Sequence, residues 1–275
     1  MKKKLSDFGK RIFGMLSRND MLILPGQLAF FLLLAVVPTI TLIIYFSSLF
    51  NVSTAFLTDF LTKAFGSEVA KLVIPIINDI QLNPSLLVPL LVALYAASGG
   101  ASSLIVTSNQ LYGIENTNFI HRKIKGLMMT IILIVLVVFL LLIPVFGDKL
   151  IDLIKCINFN DTLTNIFSFT SHLSKPPLSW LLIFFLIKVV YTMAPDDVVP
   201  STCTTKGSLF TTFGLVISTS IYSAYVNNMA HYDVLYGGLS HFVVLMIWFY
   251  IISYILTIGI AINGDDVKIW KNNKK

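Results

Sequence analysis

Residues 121–146 read HRKIKGLMMTIILIVLVVFLLLIPVF, three basic side chains (Arg122, Lys123 and Lys125) followed by an apolar run over 127–146. A helix crossing ~30 Å of hydrocarbon takes about 20 such residues. The run is long enough and lacks the polar face that a surface helix of a soluble protein would keep. The basic cluster beside it is the kind that marks the cytoplasmic edge of a span. Five further stretches qualify or nearly so: 24–50, 86–107, 178–194, 207–226 and 239–262. The fourth span, 178–194, has a short apolar core and contains Lys188. The fifth is rich in Ser and Thr, which favours burial among other helices. The expected fold is all-α, a polytopic membrane bundle of six transmembrane helices with amphipathic outer-interface helices. One membrane domain covers 1–275: a basic amphipathic segment 1–23, the bundle 24–262 and a tail 263–275.

Composition agrees. The chain has 275 residues, 56% hydrophobic and 12% charged, with mean hydropathy +0.82. A soluble domain usually carries about 25% charged residues, and so apolar a chain also excludes disorder. The formal charge of +6 does not point to nucleic acid, because the basic residues sit between apolar runs rather than in one stripe. Two cysteines, Cys156 and Cys203, and four dispersed histidines form neither a disulfide framework nor a zinc pattern.

Lysine and arginine set the expected topology. With the N-terminus in the cytoplasm, fourteen basic residues fall inside: six before the first span, Arg122, Lys123, Lys125, Lys206 and four in the tail. Five fall outside: Lys63, Lys71, Lys149, Lys155 and Lys175. Both termini are therefore expected in the cytoplasm. Phe56, Phe60 and Ala64, then Val69, Val73, Ile76 and Ile80, make apolar stripes in the first outer loop, and Leu150, Ile151 and Ile154 repeat the theme in the second. These helices either cover the bundle or gate it. Leu5, Phe8, Ile12 and Leu16 form a stripe amid basic residues, as in a helix drawn to anionic headgroups.

No catalytic constellation is legible. Asp196–Asp197 and Asp265–Asp266 are neighbours, and neighbouring helical residues do not share a face. They read as solvated loop charge. No phosphate loop or dinucleotide fingerprint is present; neither an enzyme nor a cofactor is expected. Small residues from Ser98 to Ser103 favour close helix packing or flexibility, and Pro25, Pro38, Pro89 and Pro144 each leave a backbone carbonyl needing a new partner. Polar residues then concentrate in the inner half. Gln27 begins the first span, Asn109 and Gln110 end the second, Asn263 closes the sixth, and Lys188 lies about 9 Å from Ala194 along its helix. Lys188 either snorkels to the headgroups or faces the bundle. In the second case Gln27, Asn109, Gln110 and Lys188 are expected to line an inward-open vestibule for the head of an anionic amphiphile.

Several residues carry a resemblance. Tyr191 to Pro195, Gly207, Tyr225, Tyr236–Gly237, Trp248 to Tyr250 and Gly259 follow in order, after an early Ala29–Phe30–Phe31 leading to Pro38. The chain resembles the YihY/virulence factor BrkB family of bacterial inner-membrane proteins. That resemblance implies six spans in the cytoplasmic membrane, roles in envelope integrity and lipid export, and no settled biochemistry. An older ribonuclease BN label attached to that family finds no metal-ligand set here to support it. The expected activity is transport or flipping of an envelope lipid or amphiphile, with a non-transporting scaffold as the rival. The expected partners are membrane lipids and an anionic amphiphile, not nucleic acid. Homo-oligomerisation is left open.

The topology is testable. An impermeant thiol reagent on intact cells should reach Cys156, where exposed, and not Cys203. Labelling of Cys203 alone would reverse the orientation.

Overall fold

The computed structural model describes residues 20–49, 87–115, 117–156, 180–228 and 238–274, with positions 55, 58, 59 and 62. Among them are six α-helices and no strand. They are α1 (Asp20–Leu49), α2 (Leu87–Tyr112), α3 (Phe119–Cys156), α4 (Trp180–Met193), α5 (Thr205–Asn228) and α6 (Gly238–Lys274). The N-terminal basic stripe, nearly all of the first outer loop, Tyr236 and Gly237 lie outside the described residues.

The bundle is ordered as hydrocarbon demands. Its fully buried side chains include Ser98, Asn109, Thr204, Ser208, Thr211, Ser253, Thr257 and Asn263, while Ile23, Leu91, Leu181, Ile221 and Ile247 are exposed. In water this arrangement would be unfavourable; in lipid, apolar residues outside cost nothing and polar groups are kept inside, where other helices can supply partners. Hydroxyls of α5 and α6 bond back to their own helices, as in Ser208 to Thr204 O (2.7 Å), Thr212 to Ser208 O (2.8 Å) and Thr257 to Ser253 O (2.7 Å).

Among the described residues, three helices are long and apolar enough to cross a membrane: Ile23–Tyr45 of α1, Val88–Tyr112 of α2 and Val243–Asn273 of α6. The run 127–146 lies within α3, which continues through Pro144 to Cys156. Leu150, Ile151 and Ile154 thus extend α3 rather than forming a separate interface helix. The described part of α4 is about 21 Å long at ~1.5 Å per residue, short of the ~30 Å slab. α6 runs unbroken past Asn263 and Gly264 to Lys274, because Val267 is buried and Trp270 packs on the same core.

Packing follows the small residues. A Cβ on Gly100 would stand 3.2 Å from Leu32 and 3.5 Å from Ala35, and one on Gly126 would collide with Ser102 Oγ at 2.5 Å. Glycine therefore lets α2 lie close against α1 on one side and α3 on the other. The α2–α3 turn is a Schellman cap: Gly113 holds φ +64°, its N–H donates to Gln110 O (3.3 Å), and Ile114 N–H donates to Asn109 O (2.8 Å). One proline problem is solved visibly. Pro25, inside α1, has no N–H for the carbonyl of Met21, and the Tyr254 hydroxyl of α6 donates to that oxygen at 2.9 Å.

Tyr254→Phe should lower stability by roughly 1 kcal/mol, the scale of an interhelical hydrogen bond in lipid. Restoring an N–H with Pro25→Ala in that background should recover most of it, read by thermal unfolding in detergent. An equal loss with and without Pro25 would show that the carbonyl was never the issue.

Candidate functional site

Three polar constellations are built where the helices meet. The first lies between α4, α5 and α6. Gly207 and Gly259 face each other so closely that a Cβ on either would strike the other helix, Gly259 O in one case and Thr211 Oγ1 in the other. Gly207 N–H donates to Asn263 Oδ1 (2.7 Å), and the fully buried Tyr191 hydroxyl donates to Leu256 O (2.8 Å) and pairs with Thr211 Oγ1 (2.7 Å). This is a structural clamp, with backbone approaching backbone and the Tyr191 hydroxyl bonded twice, though Asn263 Nδ2 is buried without a hydrogen-bond partner.

The second centres on Asp196, just beyond α4. Its carboxylate accepts from Lys125 Nζ (3.0 Å), Asn109 Nδ2 (2.7 Å), Thr117 N–H (3.2 Å) and the Thr117 hydroxyl (2.9 Å). Its own N–H donates to Asn109 Oδ1 (2.8 Å), while Lys125 also donates to the carbonyls of Ala194 and Pro195. The Asp196 side chain is 3% exposed. Burial alone would raise this carboxyl; the Lys125 ammonium and the Thr117 and Asn109 donors reverse that and hold it down to about 2. Asp196 is thus a buried hub rather than solvated loop charge. The flanking charges are paired too, Asp197 with Lys271 (2.7 Å) and Asp266 with Lys206 (2.9 Å).

The third is open. A cavity of about 210 Å³ lies on α2 between α1 and the start of α3. Gln27 of α1, Ser102 and Ser103 of α2, and Arg122 and Lys123 of α3 supply its polar lining, and none of its lining side chains is acidic. Phe119, Arg122, Lys123 and Gly126 share one helical face through i, i+3, i+4, i+7 spacing, so the turn that packs on α2 also delivers both cations. Lys123 Nζ donates to Tyr95 O (3.0 Å) and sits 3.7 Å from the centre of the Tyr95 ring. Lys123 is four residues, about 6 Å, from the start of α3, and its side chain lies along an apolar part of α2. Ser102 Oγ and Ser103 Oγ are buried without a hydrogen-bond partner.

The residues singled out from sequence fall as follows. Gln27 lines this cavity and is exposed. Asn109 is buried and committed to Asp196, whereas Gln110 is exposed. Lys188 is half-buried on α4, its ammonium 5.9 Å from the Phe184 ring one turn away. The four are not gathered around this cavity. Its cations are Arg122 and Lys123, which read in sequence as topology markers; the spacing from Phe119 to Gly126 was the available signal.

The family model described as virulence factor BrkB matches residues 12–267. The chain belongs to this family. The ribonuclease-like protein YfkH of Bacillus subtilis (strain 168) is 25% identical over 262 residues, 94% of each chain. No solved structure matches. BrkB membership and the apolar helices make this a membrane protein. Of the residues that carried the BrkB resemblance, Tyr191, Gly207 and Gly259 meet in the clamp, and Pro195 lends its carbonyl to Lys125. Pro38 lies inside α1. Trp248 stacks on Tyr222 (4.7 Å) and, with Tyr225, lines an apolar groove between α5 and α6, while Tyr250 meets Tyr254 edge-on (5.2 Å). Among the described residues no three His, Cys, Asp or Glu side chains are grouped to hold a metal ion.

Asp196 carries a pH signature. A depressed carboxyl contributes its stability fully above the unfolded value near 3.9 and loses it as pH falls through about 2. Asp196→Asn should therefore be less stable than the parent at pH 7 by roughly 2 kcal/mol, and the gap should close between about pH 4 and pH 2. A gap independent of pH in thermal unfolding would count against the hub.

Proposed function

We propose that this BrkB family member moves an anionic envelope lipid or related amphiphile across the bacterial cytoplasmic membrane, engaging its head in the Arg122–Lys123 cleft. The carrying observation is a cavity beside apolar helices with two cationic side chains and no acidic one in its lining. Charge in such surroundings is expensive unless countered, and among the described residues no carboxylate pairs with the Arg122 guanidinium or the Lys123 ammonium. An anionic ligand supplies the missing charge. The exposed apolar flanks leave its chains in lipid.

The reading includes six spans with both termini in the cytoplasm. The start of α1, the end of α2, the start of α3 and the far part of α6 are tied together at one end through Met21–Tyr254, Asn109–Asp196–Lys125, Lys206–Asp266 and Asp197–Lys271. That end collects basic residues, as a cytoplasmic side does. Gln27 remains part of the proposed head site, and Lys188 becomes a snorkelling anchor. The rival is a non-transporting membrane scaffold that serves envelope integrity by binding and stabilising envelope enzymes. No catalytic step is assigned to any residue.

Reconstituted vesicles carrying a fluorescent anionic lipid test the proposal. Wild-type protein should speed inner-to-outer exchange over protein-free vesicles, and Arg122→Gln with Lys123→Gln should reduce that gain at least tenfold at equal protein content. Exchange no faster than in protein-free vesicles would favour the scaffold.

A further inference from the structure

The floor of the same cleft narrows the ligand. Among the described residues Ser108 and Ser253 are buried without a partner outside the lining of this cleft, whereas many hydroxyl groups of the bundle bond back to their own helix, as Ser98 does to Tyr95 O (2.6 Å) and Thr130 to Gly126 O (2.7 Å). Ser102 and Ser103 do not, although Ser103 is only 3% exposed. A buried hydroxyl left without a partner costs about 1–3 kcal/mol. Two adjacent ones, lining the cavity that holds Arg122 and Lys123, form a set of donors waiting for an acceptor.

The geometry of that set is three-dimensional. The guanidinium fork and ammonium come from α3, the two hydroxyls from α2 and the Gln27 amide from α1. A carboxylate offers two oxygens in one plane, which a single Arg fork satisfies. A phosphate group offers at least two anionic oxygens on a tetrahedral centre, and up to three with nearly two negative charges as a monoester. It can therefore accept from several helices together. Arg122 suits this chemistry by its planar fork and Lys123 as a point charge. The Lys123 ammonium already rests on the Tyr95 ring and carbonyl, so it is positioned before any ligand arrives. About 210 Å³, roughly seven times the ~30 Å³ share of one water, holds a phosphate and a few atoms more but no acyl chain.

Resting on the headgroup reading above, we infer that this cleft is a phosphate site, selecting phosphate-headed over carboxylate-headed amphiphiles through the hydroxyls of Ser102 and Ser103. The test uses full-length protein in a neutral detergent, with dodecyl phosphate and dodecanoate as chain-matched probes and native mass spectrometry as the readout. Dodecyl phosphate should bind at least tenfold more tightly. The double variant Ser102→Ala, Ser103→Ala, which removes only two oxygens, should lose most of that preference while dodecanoate binding stays within about twofold. Arg122→Gln should weaken both probes. Inorganic phosphate is the third arm: competition at millimolar concentration identifies free phosphate as an accepted source, and its failure to compete identifies a lipid-borne one. Arg122-dependent binding of both probes with equal affinity would overturn the phosphate inference and leave the anionic-head reading standing. Binding of neither probe, or binding indifferent to Arg122, would overturn both.

Discussion

Where Gly207 meets Gly259, two helices touch backbone to backbone, and the rest of the clamp follows from that closeness. It brings Gly207 N–H onto the Asn263 side chain and sets Thr211 within reach of the Tyr191 hydroxyl. Neither contact survives if the axes move apart by the width of a methyl group. In lipid there is little hydrophobic gain in pressing helices together, so close packing and sealed hydrogen bonds must supply the association. The clamp does both, and the main apolar cluster continues from it: Tyr191, Leu256 and Ile260 are joined to Leu28, Ile105 and Met129 of α1, α2 and α3.

Prolines and serines show the same constraint from the other side. A proline inside a transmembrane helix releases a carbonyl that water cannot reach, so a neighbour must provide a donor. Tyr254 does this for Met21. Serine and threonine reverse the problem, bringing a donor that needs an acceptor, and most described here take a carbonyl one turn back. Ser102, Ser103, Ser108 and Ser253 break that habit, the first two on the face where α1 and α3 stand around a cavity.

The helical class was legible because lipid-facing segments must be continuously apolar, as residues 127–146 are. The Ser- and Thr-rich composition of α5 marked one buried face, with Ser208, Thr211 and Thr212, while Phe213, Ile217 and Ile221 stay exposed. The ends of elements were harder. α6 passes the apolar boundary at Ile262 because Val267 and Trp270 find a packed surface, and that surface belongs to segments distant in sequence. Asp196 was misread for a similar reason: its partners come from positions 109, 117 and 125, and one-dimensional spacing cannot bring these together. Lys188 drew attention as a charge inside a span, yet the cations that share a cavity sit one turn into α3, where a basic run looks like a loop.

The saturated carboxylate of Asp196 also bears on what could energise movement of a ligand. A group held at about 2 keeps its charge throughout the pH range of a living cell, so it cannot load a proton on one face and release it on the other. Nor can it exchange partners cheaply, since every donor around it would be stranded. Asp196 therefore behaves as a rivet between the α2–α3 turn and the α4–α5 link. An opening and closing of the cleft would have to leave this point in place.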